Sequence, residues 1–152
     1  MIRPIDKSDL PALKALIEAA QLFPADMLDE MTADYFAVRD SSEIWLTAGG
    51  TQPVAVAYCA PEKMTEGTWN LYLIAVHPAH RKQGYGTAMV QYLENLLREK
   101  GERVLLVETS GLEAFSHARA FYQKCGYEQE ARIRDFYQAG EDKIVFRKTL
   151  LA

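Results

Sequence analysis

The chain has 152 residues, of which 49% are hydrophobic and 25% are charged, and its formal net charge at pH 7 is −4. This length and composition indicate one globular domain over residues 1–152 that is large enough to bury a core. A weakly acidic chain has no positive field over the whole molecule. We therefore expect neither nucleic acid nor an anionic membrane surface as a partner.

The cysteines and the first residues bear on the compartment. Cys59 and Cys125 match no metal-binding or redox spacing and lie in apolar stretches, so we expect both to be reduced and packed. Charged residues interrupt the first ten positions, which argues against a signal peptide, and no apolar run has the length of a membrane span. Three histidines at these spacings form no metal set. The sequence predicts a cytoplasmic protein without a metal site.

Hydrophobic periodicity divides the first half of the chain into elements. A short strand at 1–5 precedes a helix that ends at Ala20 and has Ser8 as its expected N-cap. Pro24 begins a second helical region over 25–38. Three segments rich in β-branched and aromatic residues then predict an antiparallel meander of strands: 43–48, 53–60 and 68–76.

The second half alternates between helices and strands. The strongest helical pattern covers 84–100, and the apolar run in 103–108 is typical of a strand buried on both faces. A helix over 113–124 and two final strands at 127–133 and 143–150 follow. The order β-α-α-β-β-β-α-β-α-β-β predicts an α/β fold with a mixed sheet of seven strands and four helices.

Residues 81–86, Arg-Lys-Gln-Gly-Tyr-Gly, stand between the strand that ends at Val76 and the strongest helix. A helix N-terminus offers N–H groups without partners and the positive end of the helix dipole. Glycine lacks a Cβ, so an anion can approach the main chain closely. Arg81 and Lys82 add positive charge. This segment therefore predicts a phosphate-binding site.

Two common nucleotide sites do not fit this segment. A P-loop needs a lysine and a serine or threonine after its last glycine, but here the chain reads Tyr85-Gly86-Thr87. A dinucleotide-binding glycine loop follows the first strand of its fold, whereas this one follows the fourth predicted strand. The phosphate group expected here belongs to another kind of ligand.

Two motifs resemble those of the GNAT N-acetyltransferases. Arg81-x-x-Gly84-x-Gly86, after a strand that ends in Ala-Val-His-Pro, resembles the family's acetyl-coenzyme A pyrophosphate loop. Residues 118–127, Ala-Arg-Ala-Phe-Tyr-Gln-Lys-Cys-Gly-Tyr, resemble its A-x-x-F-Y-x-x-x-G-[FY] helix-to-strand signature. The element order agrees along essentially the whole chain. The chain is thus similar to the small, single-domain bacterial members.

The resemblance implies a GNAT-like fold and acetyl-coenzyme A (acetyl-CoA) as the co-substrate. The central strands, 68–76 and 103–108, would lie parallel and splay apart to take the pantetheine arm. The implied reaction is N-acetyl transfer to a primary amine, which attacks the thioester directly in a ternary complex. The expected cofactor-binding residues are Ile74, Ala75, Val76, Arg81, Lys82, Gln83, Gly84, Tyr85, Gly86 and Thr87.

Acetyl transfer requires a neutral amine and a protonated leaving thiolate. The resemblance gives Tyr122 the role of general acid toward the thiolate, although the residue also fits a core aromatic. The strand before the loop contains no acid. Glu108, at the end of the next strand, is the remaining candidate for the general base, directly or through a water, and it equally fits an acid that bonds the following loop. His77 fits a structural strand-end residue better than a base.

Other functions and partners stay open at this point. The alternative function is a non-catalytic acyl-CoA-binding or protein-interaction module on the same fold, which would keep the loop but not require Tyr122. The acceptor would be a small-molecule or peptide amine, and the sequence does not select between them. The segment 134–143 fits either a part of the acceptor site or a homodimer contact.

Overall fold

A computed structural model describes residues 1–151, which form seven β-strands and four α-helices. The strands are β1 (Ile2–Pro4), β2 (Ile44–Gly49), β3 (Pro53–Pro61), β4 (Thr68–Val76), β5 (Val104–Ser110), β6 (Glu128–Gln138) and β7 (Glu141–Thr149). The helices are α1 (Leu10–Ala20), α2 (Met27–Ala37), α3 (Tyr85–Glu99) and α4 (Ser116–Lys124). The sheet order is β1-β2-β3-β4-β5-β7-β6, and β4 and β5 pair in parallel. The predicted α/β fold with a mixed sheet is confirmed.

The chain divides into two compact units, and the divisions fall inside β3, β4 and α3. The first unit contains Met1–Ala60 and Leu73–Leu93, and the second contains Pro61–Tyr72 and the residues from Glu94 onward. None of the helices in the described part of the chain is long and apolar enough to cross a membrane.

The first unit has an apolar core beneath α1. Leu13, Leu16 and Ile17 recur at helical spacing on one face of α1 and are completely buried. They join Leu28 of α2 and Trp45 of β2 in one cluster. Strand β2 pairs antiparallel with β3, as predicted for the first two strands of the meander, and it also pairs antiparallel with β1. The core therefore arises from the periodicities that the sequence displays.

The start of the first helical segment differs from the prediction. The N-cap is Asp6 and not Ser8, and a single 3-10 turn over Lys7–Asp9 leads into α1. The Asp6 carboxylate accepts a bond from the Ser8 N–H at 3.0 Å, and Asp9 accepts one from the Asp6 N–H at 2.7 Å. This reciprocal capping satisfies two backbone donors, whereas a cap at Ser8 would satisfy one.

Asp9 should contribute measurably to stability. Its buried carboxylate accepts two hydrogen bonds of 2.8 Å from Arg3, and these bonds, together with the one from the Asp6 backbone N–H, lower its pKa. A carboxyl group whose pKa is lowered by folding stabilises the fold at any pH above its ordinary, unfolded-state pKa. That stabilisation is lost as the pH falls through the pKa of the folded state. We expect Asp9→Asn to lower the free energy of unfolding by about 1–3 kcal/mol at pH 7 and by less at pH 3.

Urea unfolding of both proteins at the two pH values measures this difference. Asp29→Asn is the control, because the Asp29 carboxylate is 57% exposed and its ion pair with Lys14 is a surface contact. The control should lose less than about 1 kcal/mol. An equal loss for Asp9→Asn at both pH values would contradict the role given to the carboxylate charge.

The second unit is built on β5. Its parallel register with β4 runs from Thr68↔Val104 to Leu71↔Val107. Its antiparallel register with β7 continues to Ser110↔Lys143. Strand β5 thus extends three residues past the last pair in its register with β4.

The final hairpin is longer than predicted. Strand β6 continues to Gln138 and β7 begins at Glu141, so only Ala139 and Gly140 separate the two strands. Every residue of β6 is exposed, so no apolar alternation marks its length. Asp135 has a φ of +54°, and the β6–β7 register shifts between Ile133 and Gln138. This break in the regular pairing explains why the predicted strand ended at residue 133.

A buried carboxylate holds α4 in place within the second unit. Glu94, only 4% exposed, accepts a hydrogen bond from the Tyr127 hydroxyl at 2.7 Å and pairs with Lys148 Nζ at 3.1 Å. The same ammonium donates to the Cys125 carbonyl, just after α4 ends, at 2.9 Å. The helix that carries Tyr122 is therefore tied at its C-terminal end to β7.

Candidate functional site

The loop before α3 is exposed to solvent and leads into the first turn of that helix. The Ala88 N–H donates to the Gly84 carbonyl at 3.0 Å, so Gly84 is the N-cap and the next three N–H groups have no partner within the helix. Residues 81–84 are all exposed. The first turn of α3, which the structure describes completely, carries no acidic residue. The arrangement suits an anion.

Backbone conformation explains the glycine at position 84. Gly84 has a φ of +85°, a region that other residues adopt only with strain, and Lys82 two positions earlier has a φ of +63°. A Cβ built at Gly84 would meet no atom within 4 Å. Space beside this residue is therefore open for a ligand.

An open groove of about 440 Å³ lies beside the loop. Gln83, Gly84 and Tyr85 line it from the loop, and Met1 and Ile2 line it from the N-terminal side. Three of the predicted cofactor-binding residues therefore border space that a small molecule can enter.

His77 fixes the start of the loop. Its ring Nδ1 accepts a hydrogen bond from the Ala79 N–H at 3.1 Å, which caps the 3-10 turn Pro78–His80. Its backbone N–H donates to the Val54 carbonyl at 2.8 Å. These contacts give His77 the structural role that the sequence favoured. The turn joins the loop directly to the end of β4, where Ile74 and Val76 are half-buried and Ala75 packs into the core.

Glu108 lies in a polar cluster of the second unit. Its Oε2 accepts a bond from Asn70 Nδ2 at 3.0 Å, and its Oε1 pairs with Lys143 Nζ at 2.9 Å. Asn70 also donates to Glu62 at 3.1 Å, and the Tyr72 hydroxyl donates to the same carboxylate. Sequence reasoning found Glu108 but missed these partners. An asparagine inside the apolar run of β4 was the one signal that pointed to them.

Tyr122 is buried among aromatic rings. It is 6% exposed, and its ring centroid lies 5.8 Å from that of Phe146 and 6.4 Å from that of Tyr127. Burial, followed by the nearby Cys125, raises the pKa of the Tyr122 phenol above its ordinary value of 10.0. The hydroxyl therefore remains a proton donor throughout the neutral range.

Tyr122 and Glu108 belong to opposite faces of β5. Val107 pairs with Phe146, so their side chains share one face, and Tyr122 packs against Phe146. Successive residues of a strand point to opposite faces, so Glu108 lies on the other face. Asn70 and Lys143 lie on that second face with Glu108.

The cysteines and histidines give no sign of another chemistry. Both cysteines are free, and burial raises the pKa of the Cys59 thiol, which makes it a poor nucleophile. Within residues 1–151, no group of histidine, cysteine, aspartate and glutamate side chains is arranged to hold a metal ion.

Comparison with known proteins gives consistent matches. The family model described as "Acetyltransferase (GNAT) domain" matches residues 40–129. The ribosomal protein bS18-alanine N-acetyltransferase of Escherichia coli K12 is 29% identical over 147 residues, which cover 95% of this chain and 93% of that protein.

Solved structures agree with the fold. A GNAT-family acetyltransferase from Desulfovibrio desulfuricans superimposes with a TM-score of 0.93 at 28% identity, over 99% of each chain. An aminoglycoside 6′-N-acetyltransferase in complex with coenzyme A has a TM-score of 0.79 at 18% identity, over 100% of this chain and 98% of that one.

Proposed function

Since this chain belongs to the GNAT family and is an acetyl-CoA-dependent N-acetyltransferase, we propose that its acceptor is a primary amine that attacks the thioester directly in a ternary complex. The proposal treats residues 1–152 as one catalytic domain. The observation that carries it is the exposed loop at the N-terminus of α3, with its glycine N-cap and two cations, in a chain that also holds a buried phenol at Tyr122.

The loop is proposed to hold the diphosphate of acetyl-CoA. The N–H groups of residues 83–87 would donate to the phosphate oxygens, and Arg81 and Lys82 would supply positive charge. The pantetheine arm would hydrogen-bond to the main chain of Ile74, Ala75 and Val76 like an added strand. The exposure of residues 81–84 and the open space beside Gly84 support this assignment.

The chemical step is proposed to use one group on each face of β5. Glu108 accepts one proton from the acceptor ammonium, directly or through a water, and the nitrogen lone pair then attacks the carbonyl carbon. The positively charged nitrogen of the tetrahedral adduct loses its second proton to solvent. The carbon–sulfur bond then breaks, its electron pair stays on sulfur, and Tyr122 donates a proton to that sulfur. Solvent later removes the proton from Glu108 and returns one to Tyr122. The products are the amide and the coenzyme A thiol.

The opposite faces favour this division of roles. An amine that approaches from the face of Glu108 leaves the sulfur free to be protonated from the face of Tyr122. Neither group then blocks the path of the other. The register that ends at Leu71↔Val107 supports a reaction near this point of β5.

The acceptor is proposed to be a small-molecule or peptide amine. One relative is named for an alanine of a ribosomal protein, and one neighbour is named for an aminoglycoside. The carboxylates of Glu62 and Glu108 favour an acceptor that arrives as an ammonium ion.

A screen of alanine-initiated peptides, aminoglycosides, polyamines and amino acids, scored by release of the coenzyme A thiol, tests this proposal. Each peptide has its Nα-blocked form as the matched control. We expect release to require the free amine and initial-rate plots to intersect, as a ternary complex demands. Parallel plots would contradict direct attack, because they indicate an acetyl-enzyme.

Compartment and assembly complete the proposal. We place the protein in the cytoplasm, since both of its cysteines are free.

A second copy of the chain is the proposed partner of strand β6, which is exposed along its whole length. Sedimentation equilibrium measures the dimer directly, and a monomer at every concentration would refute it.

A further inference from the structure

The polar cluster around Glu108 draws on four strands that are neighbours in the sheet. Asn70 comes from β4, Glu108 from β5, Lys143 from β7 and Phe136 from β6. Residues from such distant parts of the chain meet around one carboxylate. The position of the Glu108 side chain is therefore set by residues of the three other strands as well as by its own.

Both oxygens of Glu108 are engaged, each from a different side. Lys143 holds Oε1 at 2.9 Å from one neighbouring strand, and Asn70 holds Oε2 at 3.0 Å from the other. A carboxylate held at both oxygens cannot rotate freely about its last bond. Two contacts from neighbouring strands on either side therefore fix the direction of the carboxylate.

The contacts of Asn70 are poor for stability alone. Its Nδ2 donates to Glu62 and to Glu108, which fixes the direction of the amide. Its Oδ1 is consequently buried without a hydrogen-bond partner among the described residues, and the side chain as a whole is 2% exposed. A buried acceptor without a partner is a cost that folded proteins rarely keep without a function.

Lys143 is itself held on two sides. Its side chain is 13% exposed, and its ammonium lies between Glu108 Oε1 and the Phe136 ring, 4.1 Å from the centroid. The other ionisable groups around Glu108 are Glu62, Tyr72, Tyr137 and Glu141. Lys143 is thus the cation that directly pairs with Glu108 in a setting with two further carboxylates.

We infer that Asn70 and Lys143 are positioning residues, which hold the Glu108 carboxylate oriented to accept the proton of the acceptor amine. This inference rests on the proposed role of Glu108 as the base. Lys143 fixes the position of Oε1, and Asn70 sets the direction in which the free lone pairs point.

The test compares pH profiles of kcat/KM for the wild type, Lys143→Met, Lys143→Arg, Asn70→Leu and Glu108→Gln. Arg132→Met is the matched control, because Arg132 pairs with Asp142 in the same hairpin and the substitution removes the same charge. The acceptor probe is an alanine-initiated hexapeptide, or the best acceptor of the screen if that peptide does not react. Acetyl-CoA affinity and the unfolding midpoint are measured for every variant.

We expect Lys143→Met to lower kcat at pH 7 by about tenfold, with little change in the KM for the acceptor. The ionisation of the acceptor is common to all variants and cancels in this comparison. Lys143→Arg should restore kcat, Asn70→Leu should lower kcat without weakening acetyl-CoA binding, and Arg132→Met should match the wild type.

Two results would overturn the inference in distinguishable ways. If Glu108→Gln is inactive while Lys143→Met and Asn70→Leu match the wild type at every pH, the base stands and the positioning roles fail. If Glu108→Gln retains full activity, the base itself fails, and the positioning roles fail with it.

Discussion

Gly84→Glu should abolish acetyl-CoA binding and leave the protein folded. The substitution places a carboxylate where the diphosphate is proposed to lie, at the N-cap of α3. Like charges brought together at a binding site cost several kcal/mol, which corresponds to a loss of at least about 100-fold in affinity. A Cβ at this position would meet no protein atom within 4 Å. The fold should therefore bear only the strain of a positive φ, about 1–2 kcal/mol.

Two further variants separate charge from backbone strain. Gly101→Glu is the matched control, because Gly101 has a φ of +78°, also has open space around it, and follows the other end of α3. It should bind acetyl-CoA as the wild type does. Gly84→Ala carries the strain without the charge and should lose far less affinity than Gly84→Glu. Titration calorimetry gives all three values, and wild-type affinity for Gly84→Glu would refute the diphosphate assignment.

Tyr122→Phe should lower kcat by about 100-fold or more and change acetyl-CoA affinity by less than about twofold. The substitution removes the proposed proton donor and retains the ring that packs against Phe146 and Tyr127. Because burial raises the pKa of Tyr122 above 10.0, the wild type should also show no loss of kcat from this group up to about pH 9.

Tyr127→Phe is the control for loss of a hydroxyl in the same aromatic cluster. The Tyr127 hydroxyl donates to buried Glu94, so its removal should lower the free energy of unfolding by about 1–3 kcal/mol and leave kcat near the wild-type value. Tyr122→Phe is thus expected to lower kcat, and Tyr127→Phe to lower the free energy of unfolding. Unchanged turnover in Tyr122→Phe would show instead that this residue is a core aromatic.

Elements with strong periodicity could be predicted closely from the sequence. Strand β4 has the predicted bounds, and α3 differs from its prediction by one residue at each end. On α3, Met89, Val90 and Leu93 are at most 1% exposed, as the apolar stripe indicated. In these elements, local pattern and tertiary packing favour the same structure.

Exposed and long-range features could not be predicted. Strand β6 lacks an apolar face, so its last five residues had no pattern to mark them. The N-cap was misplaced because Asp6, Ser8 and Asp9 all have side chains able to cap, and only the backbone geometry selects Asp6. The contacts of Glu108 with Asn70 and Lys143 join residues more than thirty positions apart, and no local pattern records such pairs.

Titration of the wild-type protein with acetyl-CoA and with S-acetylpantetheine tests the central claim most directly. The second compound keeps the thioester and the pantetheine amides and lacks the diphosphate together with the 3′-phosphoadenosine group. If residues 81–87 hold the diphosphate, S-acetylpantetheine should bind at least about 100-fold more weakly, since several charge-assisted hydrogen bonds are lost. Equal dissociation constants for the two compounds would contradict the account.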